Sequence, residues 1–456
     1  MRDHSRLRST FILAAFLFLF CFASHSQAPA RHVKQSRLWS TLEKLSEFGR
    51  PAGAGFEGGV TRLGFSEEDL AARGYVMSLM RDAGLQVRVD PAGNIFGRRP
   101  SASSGQAAGT ENLPVILFGS HIDSVPRGGN FDGDVGSLGA IEVIRALNDH
   151  GEKTRHPLEV VIWSNEEGHH FGKGLLGSSA AAGLLAPDVL DRKDEEGKTL
   201  ADWLRRYGQN PARLADARIQ PASLAAYLEL HIEQGAVLDE SRIQIGVVQG
   251  IVGIHWWTCT ATGFANHAGT TPMNRRQDAL AAAARAALVV REEVRAETGR
   301  HVGTVGYVKV EPGARNIIPG RVEFPVELRD LDAEKVQRIW ARIEKRFAQI
   351  AQEENVKLDC VALQADEPAL TDSSLQAAIR EAARAAGYST LDLPSGAGHD
   401  AQQIAKLCPI GMIFVPSRGG ISHSPKEYTS PEDVANGAEV LYRTVLLLDA
   451  RLHRKP

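Results

Sequence analysis

The sequence predicts an α/β fold in which a mainly parallel sheet forms a catalytic domain and a smaller α+β domain is inserted into it. Four short apolar runs, at 114–119, 158–164, 226–230 and 410–415, have the length and composition of buried strands. Helical stretches separate the first three, and strands that alternate with helices form parallel sheets. Residues 246–360 instead follow the order β-α-β-β-α, which is typical of a small antiparallel domain similar to the ferredoxin-like fold.

The composition is that of a globular protein with more than one domain. Hydrophobic residues make up 43% and charged residues 23% of the 456 residues, which is ordinary for a soluble fold. The net charge is -3, so the chain lacks the excess of basic residues that would predict a nucleic-acid partner. We expect a catalytic domain in two parts, 33–245 and 361–456, around an inserted lid or dimerisation domain at 246–360.

Residues 1–28 have the pattern of a signal peptide. Arginines precede an apolar run at 11–22, and small residues suited to cleavage follow at about 26–30. The run is shorter than the roughly 20 residues that span a bilayer. We therefore expect an exported protein, periplasmic or secreted, without a stable membrane span after cleavage; a retained membrane anchor is the alternative.

The cysteines do not predict a disulfide framework. Cys21 lies in the expected signal peptide, which leaves Cys259, Cys360 and Cys408. Their wide spacing matches neither a disulfide-rich scaffold nor a zinc knuckle. We expect these three to be buried as small apolar side chains.

Residues of metal-ligand type follow every one of the four apolar runs. In open α/β sheets, ligands bind beyond the carboxyl ends of the strands. The residues at these ends are His121 and Asp123, Glu166 and Glu167, His231 and Gln234, and His423, with Asp132 in the glycine-rich loop after the first run. Any one of them alone is more often structural. Their joint occurrence predicts a metal site.

The residue types suit hydrolysis at a pair of metal ions. Imidazole and carboxylate groups bind zinc-like ions, and two ions that share a water make hydroxide available near neutral pH. Glu166 and Glu167 could divide the roles of proton acceptor and ligand, and the Asp123 carboxylate could orient the His121 imidazole. Two divalent ions are expected, zinc first, although manganese, cobalt or nickel also fit such ligands.

Seven segments in a fixed order extend this pattern over nearly the whole chain after the signal peptide. They are GSHIDSVPRGGNFDGDVG (119–136), WSNEEG (163–168), LELHIEQG (228–235), GFANHAGTTPM (263–273), ARNIIPG (314–320), GAGHDA (396–401) and GGISHSP (419–425). In them the chain resembles the hydantoinase/carbamoylase branch of the dinuclear-zinc peptidases and amidohydrolases. The third segment carries His231 where the peptidases of that family usually have Asp or Glu, which favours ureido and carbamoyl substrates.

The resemblance implies a role for each metal ligand. His121 and His231 would bind one ion and Glu167 and His423 the other, with Asp132 as the bridge.

The resemblance also assigns the groups that act on the substrate. Glu166 would be the general base and acid, and His267 would polarise the scissile carbonyl. Gln234, Asn316 and Arg329 would bind the substrate, with the Arg329 guanidinium on its carboxylate.

Several of these assignments have structural alternatives. His267 could be a turn residue, and Asn316 could serve only the backbone geometry before a proline. Arg329 could be an ordinary ion-pair partner of Asp330 or Asp332. His399 could cap a helix. The chain also departs from the family at His169 and His170, near the expected pocket, where a small residue and an arginine are usual before Phe171.

The expected function is hydrolysis of a carbon–nitrogen bond in an N-carbamoyl-L-amino acid or a related ureido acid, by hydroxide from a metal-held water with a glutamate as general base. Allantoate amidohydrolysis and an exported aminoacylase or dipeptidase are the alternatives within enzymes. A non-catalytic ligand-binding relative is the alternative outside them. The resemblance implies a homodimer in which the smaller domain lends residues across the interface.

Overall fold

The computed structural model describes residues 31–99, 113–172 and 174–452, so the expected signal peptide lies outside the described residues. The helices in the described residues are α1 (Gln35–Leu45), α2 (Glu67–Asp82), α3 (Asp134–Asp149), α4 (Leu176–Ala182), α5 (Leu200–Arg206), α6 (Val237–Ser241), α7 (Ala279–Ala296), α8 (Ala333–Glu353), α9 (Ser373–Ala385), α10 (Asp400–Ile404) and α11 (Pro431–Leu452). None of them has both the length and the apolar composition that a membrane crossing requires.

The strands fall into one large sheet, one small sheet and a two-stranded ribbon. They are β1 (Gln86–Val89), β2 (Ile95–Arg99), β3 (Val115–His121), β4 (Leu158–Trp163), β5 (Leu224–Ile232), β6 (Ile245–Ile251), β7 (Gly253–Thr262), β8 (Asn266–His267), β9 (Val302–Thr304), β10 (Lys309–Glu311), β11 (Ile317–Ile318), β12 (Arg321–Asp330), β13 (Lys357–Asp366), β14 (Ala369–Leu370), β15 (Thr390–Ser395) and β16 (Ile410–Val415).

The large sheet has the order β1-β2-β4-β3-β5-β16-β6-β14, with β15 also paired to β6. The four predicted apolar strands are its centre, where β4, β3, β5 and β16 run parallel. The neighbours of this centre, β2 and β6, are antiparallel to it. The expected α/β class is confirmed, and the carboxyl ends of the four central strands meet at one edge.

Helices cover both faces of the large sheet because its central strands are apolar on both sides. One face packs against α1, α2, α3, α9 and α11, through side chains such as Phe118 and Leu230. The other face buries Leu117, Trp163 and Phe414 together with residues of α4 and α10. A buried parallel sheet of this kind is rigid, which suits it to hold ligand side chains at its edge.

The small sheet belongs to the inserted segment. Its order is β10-β12-β7-β13, with β9 also paired to β12, and all its pairs are antiparallel. Helices α7 and α8 pack on one face of it, so the order β-α-β-β-α-β is that of a ferredoxin-like unit. The boundaries that we expected are corrected: β6 pairs within the large sheet, and β13 closes the small one, so the small unit runs from Gly253 to Asp366 rather than over 246–360.

Two of the cysteines are bonded, which corrects the expectation that all three are unpaired. Cys259 on β7 stands directly opposite Cys360 on β13, and the two form a disulfide. Cys408 is free and buried, as expected. Cys259 and Cys360 are 101 residues apart in the sequence. The disulfide was not predicted because nothing in the sequence placed the first and last strands of the small unit side by side.

Candidate active site

The five expected metal ligands converge at the carboxyl edge of the four central strands. His121 and His231 lie at the ends of β3 and β5, and Glu167 and His423 follow β4 and β16. Asp132 lies between them. Its Oδ1 is 3.1 Å from His231 Nε2 and 3.6 Å from His121 Nε2, and its Oδ2 is 3.1 Å from His423 Nε2.

These ligands form two groups that share Asp132. One consists of His121, Asp132 and His231, the other of Asp132, Glu167 and His423, and within each the ligand atoms lie within 4.8 Å of one another. Glu167 Oε1 is buried and has no hydrogen-bond partner among the described residues. A buried acceptor of this kind beside imidazoles and a shared carboxylate fits divalent metal ions.

Two of the candidate ligands, Glu167 and His423, hold protons more tightly than usual. Burial, and then the nearby Asp132, raise the pKa of Glu167 to about 8. The hydrogen bond to Asp132 raises the pKa of His423 to about 9. Burial would raise the pKa of Asp132, but hydrogen bonds from three imidazoles hold it well below its usual value. Bound cations would replace the protons that Glu167 and His423 otherwise retain.

Glu166 lies beside the ligands but belongs to neither ligand group. Its Oε2 is 3.9 Å from His121 Nε2. Burial, opposed by the charge of His121, raises the pKa of Glu166 well above its usual value. A carboxyl group with a raised pKa suits general acid–base catalysis.

Asp123 acts differently from the expectation. Its carboxylate Oδ1 is 3.7 Å from His121 Nδ1, whereas its backbone carbonyl lies 3.0 Å from the same nitrogen. The carboxylate instead accepts hydrogen bonds from the backbone N–H groups of Glu166 and Glu167, both at 3.1 Å. The carbonyl therefore orients the imidazole, and the carboxylate fixes the turn that carries the two glutamates.

The loop that carries Asp132 is held by residues that the sequence analysis missed. Glu427 Oε1 accepts hydrogen bonds from the backbone of Phe131 and Asp132. Buried Arg62 forms a two-pronged ion pair with Asp134, directly after the loop. The position of Glu427, four residues after His423, was the only signal in the sequence that it belongs near the site.

A glycine in the same loop is required by close packing against a ligand. A Cβ atom on Gly133 would lie 2.4 Å from the His121 ring, and the residue has a φ of +68°. Any larger residue here would displace the imidazole.

The site opens into a cavity of about 280 Å³. It is lined by Asp132, Glu166, Glu167, Leu175, His231, Gln234, Arg329, Ala397, Gly398, His399 and His423. The Gln234 side-chain amide donates to Asp132 Oδ2 at 2.7 Å, while its Oε1 is buried without a partner among the described residues. That oxygen is available to accept a hydrogen bond in the cavity.

Arg329 reaches the cavity from the small sheet. Its guanidinium binds the Glu327 carboxylate through Nε and Nη2, at 2.8 and 3.1 Å. It also crosses to the large domain, where Nη1 donates to the Gly396 carbonyl at 2.8 Å. The expected alternative partners, Asp330 and Asp332, are not its partners: its salt-bridge carboxylate is that of Glu327.

His267 and Asn316 do not join this cavity within the described chain. His267 lies on the ribbon formed by β8 and β11, Asn316 directly precedes β11, and both are exposed. The backbone N–H groups of Gly269 and Thr270 donate to His267 Nδ1 at 3.0 and 3.2 Å. Because Nδ1 accepts, the ring proton sits on Nε2, which faces outward as a donor.

Some of the remaining histidines near the site differ from the expectation. His169 and His170 are absent from the cavity lining, and His170 Nδ1 lies 2.7 Å from Glu195 instead. His399 does line the cavity, and it begins α10 without a side-chain capping bond. Its ring forms a hydrogen bond with Ser395 Oγ at 2.8 Å. His399 is the N-cap residue of α10, in line with the structural alternative, and it also lines the cavity.

Comparisons with known proteins agree with this geometry. Residues 117–447 match the model of peptidase family M20/M25/M40. An N-carbamoyl-L-amino acid amidohydrolase of Geobacillus stearothermophilus is 46% identical over 91% of this chain and 98% of its own. An allantoate amidohydrolase of Bacillus subtilis is 36% identical over 88% of this chain and 94% of its own.

A solved structure of an amidase is also similar to this chain. An amidase of the hydantoinase/carbamoylase family from Burkholderia multivorans superimposes with a TM-score of 0.83 at 40% identity, over 91% of this chain and 98% of that one. The chain therefore belongs to peptidase family M20/M25/M40 and, within it, to the hydantoinase/carbamoylase amidases.

Proposed function

We propose that the protein is a two-metal amidohydrolase that cleaves the ureido carbon–nitrogen bond of an N-carbamoyl-L-amino acid. The observation that carries this proposal is the pair of ligand groups that share Asp132, with an unligated Glu166 beside them. The similarity to the Geobacillus stearothermophilus amidohydrolase supports the same substrate class.

Bound ions would supply a water of lowered pKa and polarise the ureido carbonyl. Glu166 accepts the proton of that water as its oxygen attacks the carbon. It then delivers the proton to the departing nitrogen, and the carbon–nitrogen bond breaks. The first products are the amino acid and carbamic acid, and Glu166 returns to its ionised state. The carbamic acid then breaks down without the enzyme to carbon dioxide and ammonia.

Two cavity residues suit a ureido acid. Gln234 Oε1, which has no partner among the described residues, would accept a hydrogen bond from a ureido N–H. Arg329 would exchange its contact with the Gly396 carbonyl for the substrate carboxylate, a stronger charge-assisted partner.

The small domain would complete the site from a second copy of the chain. His267 carries its proton on Nε2, as a donor to the developing oxyanion requires. Two exposed apolar side chains, Phe264 and Met273, flank the ribbon in the sequence. The other large apolar side chains that are exposed on the small unit are Trp256, Leu280, Leu288, Val302, Tyr307, Val308, Val361 and Leu363. An apolar surface of this kind supports a homodimer.

The assay that tests the reaction compares matched substrates. Purified protein loaded with zinc or manganese is given N-carbamoyl-L-alanine, N-acetyl-L-alanine and allantoate, and ammonia and amino acid are measured separately. We expect ammonia and alanine from the carbamoyl compound. Ammonia from allantoate alone would move the protein to the alternative of allantoate amidohydrolysis. Alanine from the acetyl compound alone, without ammonia, would contradict the proposal.

We propose further that the protein works in an oxidising compartment, after export. Disulfides persist in such compartments and are rare in the cytosol, and Cys259 and Cys360 are bonded across adjacent strands. Fractionation of cells that make the full chain tests this. We expect shortened protein in the periplasm or medium, with one reactive thiol after denaturation. Full-length protein in the cytosol with every thiol reactive would contradict it.

A further inference from the structure

A second and larger cavity lies beside the catalytic one, in the cleft between the two domains. Its volume is about 980 Å³, against about 280 Å³ for the catalytic cavity. The residues that characterise its wall are Leu175, Arg192, Asp366, Gln402, Gln403 and Lys406. We call it the side chamber, and the mechanism above uses none of its polar residues.

The side chamber and the catalytic cavity share a wall on the large domain. Leu175 lines both. Gly398 lines the catalytic cavity, and a Cβ atom on it would lie 3.7 Å from Gln402 Oε1 in the side chamber. Leu175 also has a φ of +55°, an uncommon conformation for a residue with a side chain, and its N–H donates to the Glu166 carbonyl at 2.7 Å. This residue therefore separates the base from the side chamber.

A row of directly opposed residues on the small sheet leads from the catalytic cavity to the side chamber. Arg329 on β12 is opposite Ile254 on β7, and Ile254 is opposite Asp366 on β13. Directly opposed residues of antiparallel strands point to the same face. Arg329 lines the catalytic cavity and Asp366 the side chamber, and the two are separated by two strand spacings, about 10 Å. Only a long side chain of a substrate whose carboxylate is bound by Arg329 would therefore reach the side chamber.

The wall of the side chamber is polar and carries no net charge. The cations Arg192 and Lys406 are balanced by Asp366 and Glu367, and Arg192 also pairs with Asp188 at 3.3 Å. The Gln403 amide can both donate and accept hydrogen bonds, whereas the Gln402 amide donates to the Glu367 carbonyl at 3.4 Å and keeps its oxygen as an acceptor. Such a wall is complementary to a neutral group that both donates and accepts hydrogen bonds. It is less complementary to an anion or to an alkyl chain.

We propose that the side chamber binds the side chain of the substrate and selects long side chains that end in an amide or ureido group. This inference rests on the proposed function, since it assumes that the catalytic cavity holds the N-carbamoyl and carboxylate groups. Glutamine and citrulline derivatives are the substrates that it favours over the alkyl derivative of similar length.

Four N-carbamoyl-L-amino acids test the proposal: those of alanine, norleucine, glutamine and citrulline. We expect kcat/KM for the glutamine and citrulline compounds to exceed that for norleucine by about tenfold, the contribution of one or two hydrogen bonds in a site built for them. Equal values, or a preference for norleucine, would overturn the proposal.

A filling variant tests the place of binding. Gln403→Trp narrows the side chamber and should lower kcat/KM about tenfold for the glutamine and citrulline compounds while leaving the alanine compound unchanged. Lys406→Trp, at an exposed position of the same wall, is the second variant, for use if the first does not fold. Gln352→Trp, exposed on α8 outside the side chamber, is the matched control.

The results separate the two proposals. If none of the four compounds releases ammonia from wild-type protein, the proposed function fails. If they do release ammonia and the filling variants lower all four substrates equally, or none, the side chamber does not hold the side chain and only this inference fails.

Discussion

The two halves of the active site are built in opposite ways. The metal-binding half lies within one chain and is largely buried, with His423 as its exposed member. His121, Asp132 and His231 come from adjacent parts of one rigid sheet edge. The small-domain half is exposed, and His267 and Asn316 do not reach the cavity of their own chain. In the proposed enzyme, one half would bind its ions within a single chain before the substrate arrives, and the other half would be completed by a domain movement or a second subunit.

The largest loss of activity is expected from the substitution of Asp132, because both ligand groups depend on it. Asp132→Ala removes the carboxylate that both ligand groups share and should abolish the binding of both ions. Activity should fall beyond roughly 10⁴-fold, because several kcal/mol of transition-state stabilisation are lost with them. Metal content by mass spectrometry and ammonia release check this, and a circular dichroism spectrum controls for folding. A variant that keeps two tightly bound ions would refute the bridging role.

The next effect separates chemistry from metal binding within the same half. Glu166→Gln should retain both ions yet lose about 10²- to 10⁴-fold in kcat, since it cannot accept the proton. The neighbouring Glu167→Gln is the matched control, because it should weaken the binding of one ion instead. If Glu166→Gln remained active, or lost its metal as the control does, the assignment of the base would be wrong.

A smaller effect is expected at the point where the two halves touch. Arg329→Lys keeps the charge but loses the planar fork, and should lower kcat/KM about 10- to 100-fold, with the change mainly in KM. Arg321→Lys, on the same strand but paired with surface carboxylates, is the control. An unchanged KM for N-carbamoyl-L-alanine would show that the carboxylate binds elsewhere.

The sequence predicted the metal-binding half well and the small domain less well, for a physical reason. Residues such as His121 and His231 directly follow apolar strands, and parallel strands bring their ends to one edge, so local pattern determines the site. The Cys259–Cys360 disulfide and the extent of the small unit depend on which antiparallel strands become neighbours, which local pattern does not specify. Glu427 was missed because its role is a hydrogen bond to a distant loop.

The role of Asp123 was misassigned for a similar reason. Its spacing from His121 suggested a contact between the two side chains, but the turn after β3 presents the backbone carbonyl to the imidazole instead. Side-chain spacing along an extended strand does not determine which atoms face one another once the chain turns.

The measurement that tests the comparison most directly is subunit mixing. Glu166→Gln and His267→Ala proteins, each of which should release little ammonia from N-carbamoyl-L-alanine, are dissociated together and reassociated. In a twofold dimer that shares residues across its interface, half of the dimers are mixed and one of their two sites is intact, so about a quarter of wild-type activity should return. A mixture no more active than its parents would mean that His267 serves its own chain, and would contradict a site shared between subunits.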